Sequence, residues 1–175
     1  MKMSKLLSVF VFFIFTSIVH AEVKISIIDV DKVREESIAF KNAMKEINSK
    51  AEELDKNVMR IQKELSKKNN TLEKQKNVLP ASEYNKKNDI FNKEVEKENK
   101  NLYQQRVSLE KAYGEANEAL NKKIREVIQK IAREKNITIV FDKNLTVYTD
   151  TSIDVTKEVV SEINNQLKSI DINLS

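Results

Sequence analysis

The chain of 175 residues contains no cysteine and no tryptophan, and only one glycine (Gly114), one proline (Pro80) and one histidine (His20). Each scarcity excludes something. Without cysteine there is no disulfide framework, so the fold must hold by packing or by assembly. The lack of thiols and, beyond His20, of imidazoles removes a common nucleophile, the common general base and the usual structural-zinc ligands, which argues against an enzyme. A single glycine cannot build a G-x-x-x-x-G-K phosphate loop or a Gly-rich dinucleotide turn, so no ATP cradle of known type and no cofactor is expected. Globular α/β and all-β domains also use several turn glycines, and their scarcity here points to long uninterrupted elements.

What is present begins with MKMSKLLSVFVFFIFTSIVHA. Lys2 and Lys5 form a positive n-region, residues 6–19 an apolar run of 14, and Val19-His20-Ala21 a small-residue cleavage signal. A membrane span needs about 20 apolar residues, so the run reads as a secretory signal (1–21) cleaved after Ala21 rather than as a retained anchor.

From Phe40 the apolar positions run Phe40, Met44, Ile47, Ala51, Leu54, Val58, Ile61 and Leu65, then Leu72 and Leu79. The alternating steps of four and three are an a/d heptad pattern, with Lys68 and Gln75 holding the register. Pro80 interrupts it, and Ser82 is placed to cap a second helix. That helix carries a seam of Tyr84, Asn88, Phe91, Val95, Glu98, Leu102, Gln105, Leu109, Ala112 and Ala116. Its stripe then shifts to Leu120, Ile124, Val127 and Ile131, a stutter that locally unwinds a left-handed supercoil. Two such helices joined by a few residues fold back as an antiparallel hairpin. The arm is thus expected over 32–133, with its tip near 77–83 and its first helix, from Lys32 to Leu79, roughly 70 Å long. Polar residues at several seam positions weaken the distal half, which reads equally as tolerance of a solvated coiled coil or as selected flexibility.

The remainder, 22–31 and 134–175, is only 52 residues. Lys24 to Val30 alternates Ile25 and Ile27 against Ile28 and Val30, and "ITIVFDKNLTVYTD" (137–150) reads as two strands of a hairpin, carrying Ile137, Ile139 and Phe141, then Leu145 and Val147. Asp154 is placed to cap a last helix with Val155, Val159, Ile163 and Leu167 on one side. So small a body without disulfide or metal makes a marginal core with open strand edges. The expectation is an α+β chain: a β-strand body that oligomerises with its own copies through Ile25, Ile27, Ile137, Ile139 and Phe141, and one long helical arm per protomer.

Charge divides along the same line. The arm holds 24 Lys+Arg against 17 Asp+Glu, and the body 5 against 10. Basic arms attract anionic partners, and Lys67, Lys68, Lys74, Lys76, Lys86 and Lys87 bracket the tip. Asp29-Val-Asp31 and Asp142-Lys-Asn144 imitate the start of a calcium loop, but Arg34 and Val147 stand where its glycine belongs, and Phe40 and Ile153 where its glutamate belongs. Both read as strand-end turns. Nucleic acid is not an expected partner, since aromatic residues are not interleaved with a basic patch.

A signal, a "KISIIDVDKV" first strand, a long helical hairpin and a closing "ITIVFDKNLTVYTD" followed by "IDVTKEVVSEIN" together resemble the Skp (OmpH-like) family of periplasmic chaperones. The resemblance spans Glu22 to Ser175 and is most specific from Ile137 to Asn144 and at Asp154-Val-Thr. It implies a homotrimer whose strands form a central body, with three arms enclosing a cavity that holds unfolded outer-membrane β-barrel proteins in the periplasm without ATP. On that reading the six tip lysines serve client capture. The family also implies an anionic lipid or lipopolysaccharide surface on the arm; near Lys111-Ala112 its basic pair is at best half present, so no such site is assigned. The alternative is an exported coiled-coil spacer or tether without chaperone activity.

Overall fold

A computed structural model describes residues 23–174. The expected signal and its cleavage point lie outside these residues. Strand β1 (Ile25–Ile28) leads through a short helix α1 (Val30–Glu36) into α2 (Ile38–Gln75). A turn returns the chain as α3 (Ala81–Lys135), followed by strand β2 (Ile139–Asp142), two single 3₁₀ turns, and α4 (Thr156–Gln166). Among the described residues, no helix is long and apolar enough to cross a membrane. The chain is mostly helical with a two-stranded sheet, an α+β architecture.

β1 and β2 pair in parallel, Ile25 opposite Ile139 and Ile28 opposite Asp142. Parallel strands need a crossover connection, and here the whole helical hairpin is that connection. Its far end closes on Asn136, whose left-handed backbone (φ 54°, ψ 40°) ends α3, with the Ile137 N–H donating to Ala132 O at 2.8 Å. Asparagine tolerates this conformation better than most residues. Arg133 and Lys135 in the last turn complement the helix dipole.

The first arm helix is shorter than its pattern suggests. Ser37 breaks it with extended backbone (φ −70°, ψ 113°), separating α1 from α2. The break is held from outside: Asn164 of α4 accepts from the Ile38 N–H at 2.9 Å and donates to Glu36 O at 3.1 Å. The 38 residues of α2 therefore span roughly 57 Å rather than the longer rod from Lys32. At the tip α2 ends at Gln75, and Pro80 itself starts the second helix, its carbonyl accepting from Glu83 and Tyr84 at 3.0 Å. Ser82, expected as the cap, lies inside the first turn of α3.

The core sits where the arm meets the body. Ile124, Val127 and Ile131 of α3 pack with Val33 of α1, Ala43 and Ile47 of α2, and Val159 and Ile163 of α4. The small residues Ala43, Ala112 and Ala116 are buried there too, letting the helices approach closely. The stutter at Leu120 marks the stretch of α3 that continues into this core and packs against α4. Lys130–Glu162 and Lys135–Glu158 tie the same two helices at the surface.

The hairpin expected over 137–150 does not form. Only residues 139–142 are strand; the chain then turns at Asp142, whose carboxylate accepts from the Asn144 N–H at 3.1 Å. The Asn144 side chain donates to Asp31 at 2.9 Å, tying this turn to the start of α1, which Asp29 caps where a strand-end turn was expected. A second such turn follows at Asp150, which accepts from the Ser152 N–H at 2.8 Å. These side-chain-to-backbone bonds compete with a ladder and win, because among the described residues no strand lies free to pair with 145–147. Asp154 accepts from the Thr156 N–H at 2.8 Å, while Val155 holds the cap position of α4.

Candidate functional site

Two surfaces stand out, one on the body and one along the arm. On the body, the parallel register sets Ile25, Ile27, Ile139 and Phe141 on one face of the sheet, and Ser26, Ile28, Val140 and Asp142 on the other. The second face joins the core through Ile28 and Val140. On the first face the five residues expected at a subunit interface divide. Ile27 is covered within the chain, where Asp154 bridges to it and the Val155 N–H donates to its carbonyl at 3.0 Å. Ile137 is likewise buried in the core. Ile25, Ile139 and Phe141 remain 41%, 40% and 43% exposed. Leu145, Val147 and Tyr148 of the following segment are more exposed still. Among the described residues β2 has a ladder partner on one edge only. Six large apolar side chains beside a free strand edge form a surface that self-pairing would cover.

Along the arm every expected seam residue of α3 is buried or half-buried, from Tyr84 to Ala116. Packing density falls with distance from the body. Beyond the core, Leu54, Ile61 and Leu102 make a second, smaller cluster with Val58, Leu65 and Leu109. Beyond that, Leu72 alone is buried. Polar contacts take over the distal seam: Lys68 pairs with Glu94, and Lys87 Nζ donates to Gln75 Oε1 at 3.1 Å. A shallow hollow of about 360 Å³ opens there, with Leu72, Ile90 and Phe91 in its lining and Lys67, Lys68 and Lys87 around it. Lys67, Lys74, Lys76 and Lys86 are exposed and have no ion pair among the described residues. Of the six tip lysines, the structure thus brings three to one hollow and leaves the others on the surface around the turn.

Lys130 and Gln166 hold the Glu162 carboxylate below its usual range. Burial pushes Asp154 up, but hydrogen bonding to Thr156 and the charges of Lys143 and Lys32 outweigh it and leave the group lowered. Among the described residues no cluster of Asp or Glu is arranged to hold a metal ion. The surfaces are suited to weak apolar and electrostatic contact.

The family model for outer membrane proteins of the OmpH-like type matches residues 24–163. This chain belongs to the OmpH-like family. The match takes in both strands, the whole arm and most of α4, and stops before residues 167–174. A crystal structure from Caulobacter crescentus CB15, described as that of a candidate OmpH-like outer membrane chaperone, superposes with a TM-score of 0.75 at 11% identity. It covers 87% of this chain and 90% of its own, so the OmpH-like fold is shared over nearly the full length of both. A comparison with curated proteins gives no match.

Two features escaped the sequence reading. The clamp of Asn164 on the Ser37 break leaves no periodic trace. The segment after α4 does: Ile170, Ile172 and Leu174 alternate with polar residues, and all three pack back on the protein.

Proposed function

We propose that this chain is an ATP-independent holdase of the periplasm that captures unfolded outer-membrane β-barrel proteins between helical arms and keeps them from aggregating. The observation that carries this reading is the family match over residues 24–163. The geometry supplies a mechanism. An unfolded barrel protein exposes alternating apolar strands that aggregate edge to edge. A loosely packed distal arm with half-exposed apolar residues and unpaired lysines offers many weak contacts, and its basic charge speeds encounter with acidic clients. The body's exposed face of Ile25, Ile139 and Phe141, with the open edge of β2, is the surface through which copies of the chain, three on the family's pattern, would associate. The six tip lysines would then stand around the mouth of the enclosed space. A rigid spacer, the other reading of the sequence, would want an apolar seam to the tip, and this arm does not have one.

The test separates assembly from capture. Removing residues 67–100 and reconnecting the helices with a short loop should leave self-association unchanged in sedimentation while protection of an unfolded barrel protein from aggregation falls. Equal protection by the shortened arm would overturn the cage mechanism. In the reciprocal variant, Ile139→Asp with Phe141→Asp should abolish self-association while the protomer keeps its helical signal, because both side chains are already part-exposed in the single chain. A wild type that sediments as a monomer at micromolar concentration would exclude the assembled cage.

A further inference from the structure

Past α4 the chain turns back along the arm. The Leu167 N–H donates to Ile163 O at 2.7 Å, and Lys168 Nζ donates to Asn164 O at 3.0 Å, fixing where the tail leaves the helix. Residues 167–174 then run without regular secondary structure. Leu167, Ile170, Ile172 and Leu174 pack half-buried against the root core, while Ser169 and Asp171 are exposed and Asn173 lies beside Tyr103 and Lys111 of α3. From Ile170 to Leu174 the apolar side chains recur every second residue, the spacing of an extended segment.

The end of the tail reaches the arm itself. Leu174 helps to line a groove of about 840 Å³ between α2 and α3, together with Leu54 and Leu109 and a polar rim that includes Lys50, Arg60 and Gln105. In this stretch the polar Gln105 stands at a seam position and lines the groove beside Leu54 and Leu109. The volume lies within the range of roughly 300–1,000 Å³ typical of binding clefts, and one leucine side chain does not fill it. The groove also continues past Leu174: its lining extends from Ser108 to Asn101 on α3, about two helical turns or roughly 10 Å.

We propose that this interhelical groove is a docking track for extended segments with alternating apolar side chains, that the tail enters its lower end through Leu174, and that an incoming client strand displaces the tail. The tail points to the partner's chemistry, because it is itself a segment with apolar residues at every second position, and its Leu174 lines the groove. Strands of transmembrane β-barrels carry the same alternation. The partner's identity rests on the holdase reading; the groove and its occupant do not. A tail that must leave before the client enters lowers the apparent affinity by the fraction of protein in the open state.

The test uses two variants, deletion of residues 168–175 and the pair Ile172→Ser with Leu174→Ser. The probe is a fluorescent peptide of sequence LKSIDINL, with LLIIKSDN as a control of equal composition without alternation. Both variants should bind the peptide more tightly than the wild type, by roughly three- to tenfold, and prefer it to the control. Equal binding by wild type and variants, no binding by either variant, or no preference over the control would overturn the proposal. If the deletion loosens the arm root, seen as lost helicity, the serine pair decides. An unfolded barrel protein is titrated in parallel. Tighter capture of it by the variants supports displacement, and unchanged capture despite peptide binding overturns it. If the wild type and variants protect no client while the peptide still binds the variants selectively, the holdase reading fails and the groove stands.

Discussion

The root and the distal half of the arm follow one heptad rule and reach different outcomes. At the root, α3 is packed by α2 on one side and α4 on another, and Val33, Leu120, Val159 and Ile163 are fully covered. Toward the tip, among the described residues, α2 and α3 pack on each other alone, and seam residues as apolar as Phe91 and Val95 stay half-exposed. A pair of helices can cover its contact line and no more, whereas three or four helices can enclose a side chain. Burial is therefore set by the number of neighbours around a position, and the hydrophobic pattern alone does not report it. Stability should be graded accordingly, with the root opening only in global unfolding and the distal arm opening locally at much lower cost.

The sharpest way to break this comparison is to place the same charge in both regions. Leu120→Asp should cost several kcal/mol, a large share of the roughly 5–15 kcal/mol that holds a domain together, and thermal melts followed by circular dichroism should show most helical signal lost. Phe91→Asp should cost no more than about 1 kcal/mol and leave the root transition in place. If the two variants melt alike, the gradient does not exist.

A smaller effect should come from the clamp at the root. Asn164→Ala removes both hydrogen bonds that bridge the Ser37 break and should destabilise by about 1–3 kcal/mol. Denaturant titration should show this loss, whereas Gln75→Ala, which removes a single exposed contact near the tip, should leave the midpoint unchanged.

Smaller still in stability, though not in rate, is the charge of the tip. Replacing Lys67, Lys68, Lys74, Lys76, Lys86 and Lys87 together with Gln barely alters helix propensity, so the melt should not move by more than about 1 kcal/mol. Stopped-flow capture of an acidic unfolded barrel protein should slow several-fold at low salt, with the deficit shrinking as the screening length falls to roughly 3 Å at 1 M. An unchanged rate at low salt would reduce these lysines to a solvated face.

The smallest effect concerns pH. Asp154 is lowered from its ordinary 3.8, so the ionised form stabilises the start of α4 above that value, and the contribution is lost as pH falls through the lowered folded value. Acid below about pH 4 should loosen the body, and Asp154→Asn should flatten that part of the stability profile without changing stability differences among variants of the distal arm.

The sequence by itself determined the arm. Heptad spacing from Phe40 to Leu79 and from Tyr84 to Ala116, with one proline between, specifies two long helices folded back on each other, because a period of 3.5 residues is a local property that any partner helix can read. It also determined that the stripe shifts at Leu120 and that Asp142 is a turn, accepting from the Asn144 N–H; Asp29, expected in a turn as well, instead caps α1, accepting from the Lys32 N–H at 2.9 Å. Only the tertiary structure decided the rest. Whether Ile27 and Ile137 or Ile25 and Ile139 stay exposed depends on where residues 154–155 return to β1, and alternation along a strand cannot tell the two apart. The second strand of the expected hairpin gave way to Asx-type turns because pairing requires a neighbour brought from elsewhere in the chain. The break at Ser37 and the groove held by Leu174 likewise join residues more than a hundred positions apart in one case and more than sixty in the other. Contacts at that separation cost chain entropy, are paid back only in the folded whole, and leave no period in the sequence to be read.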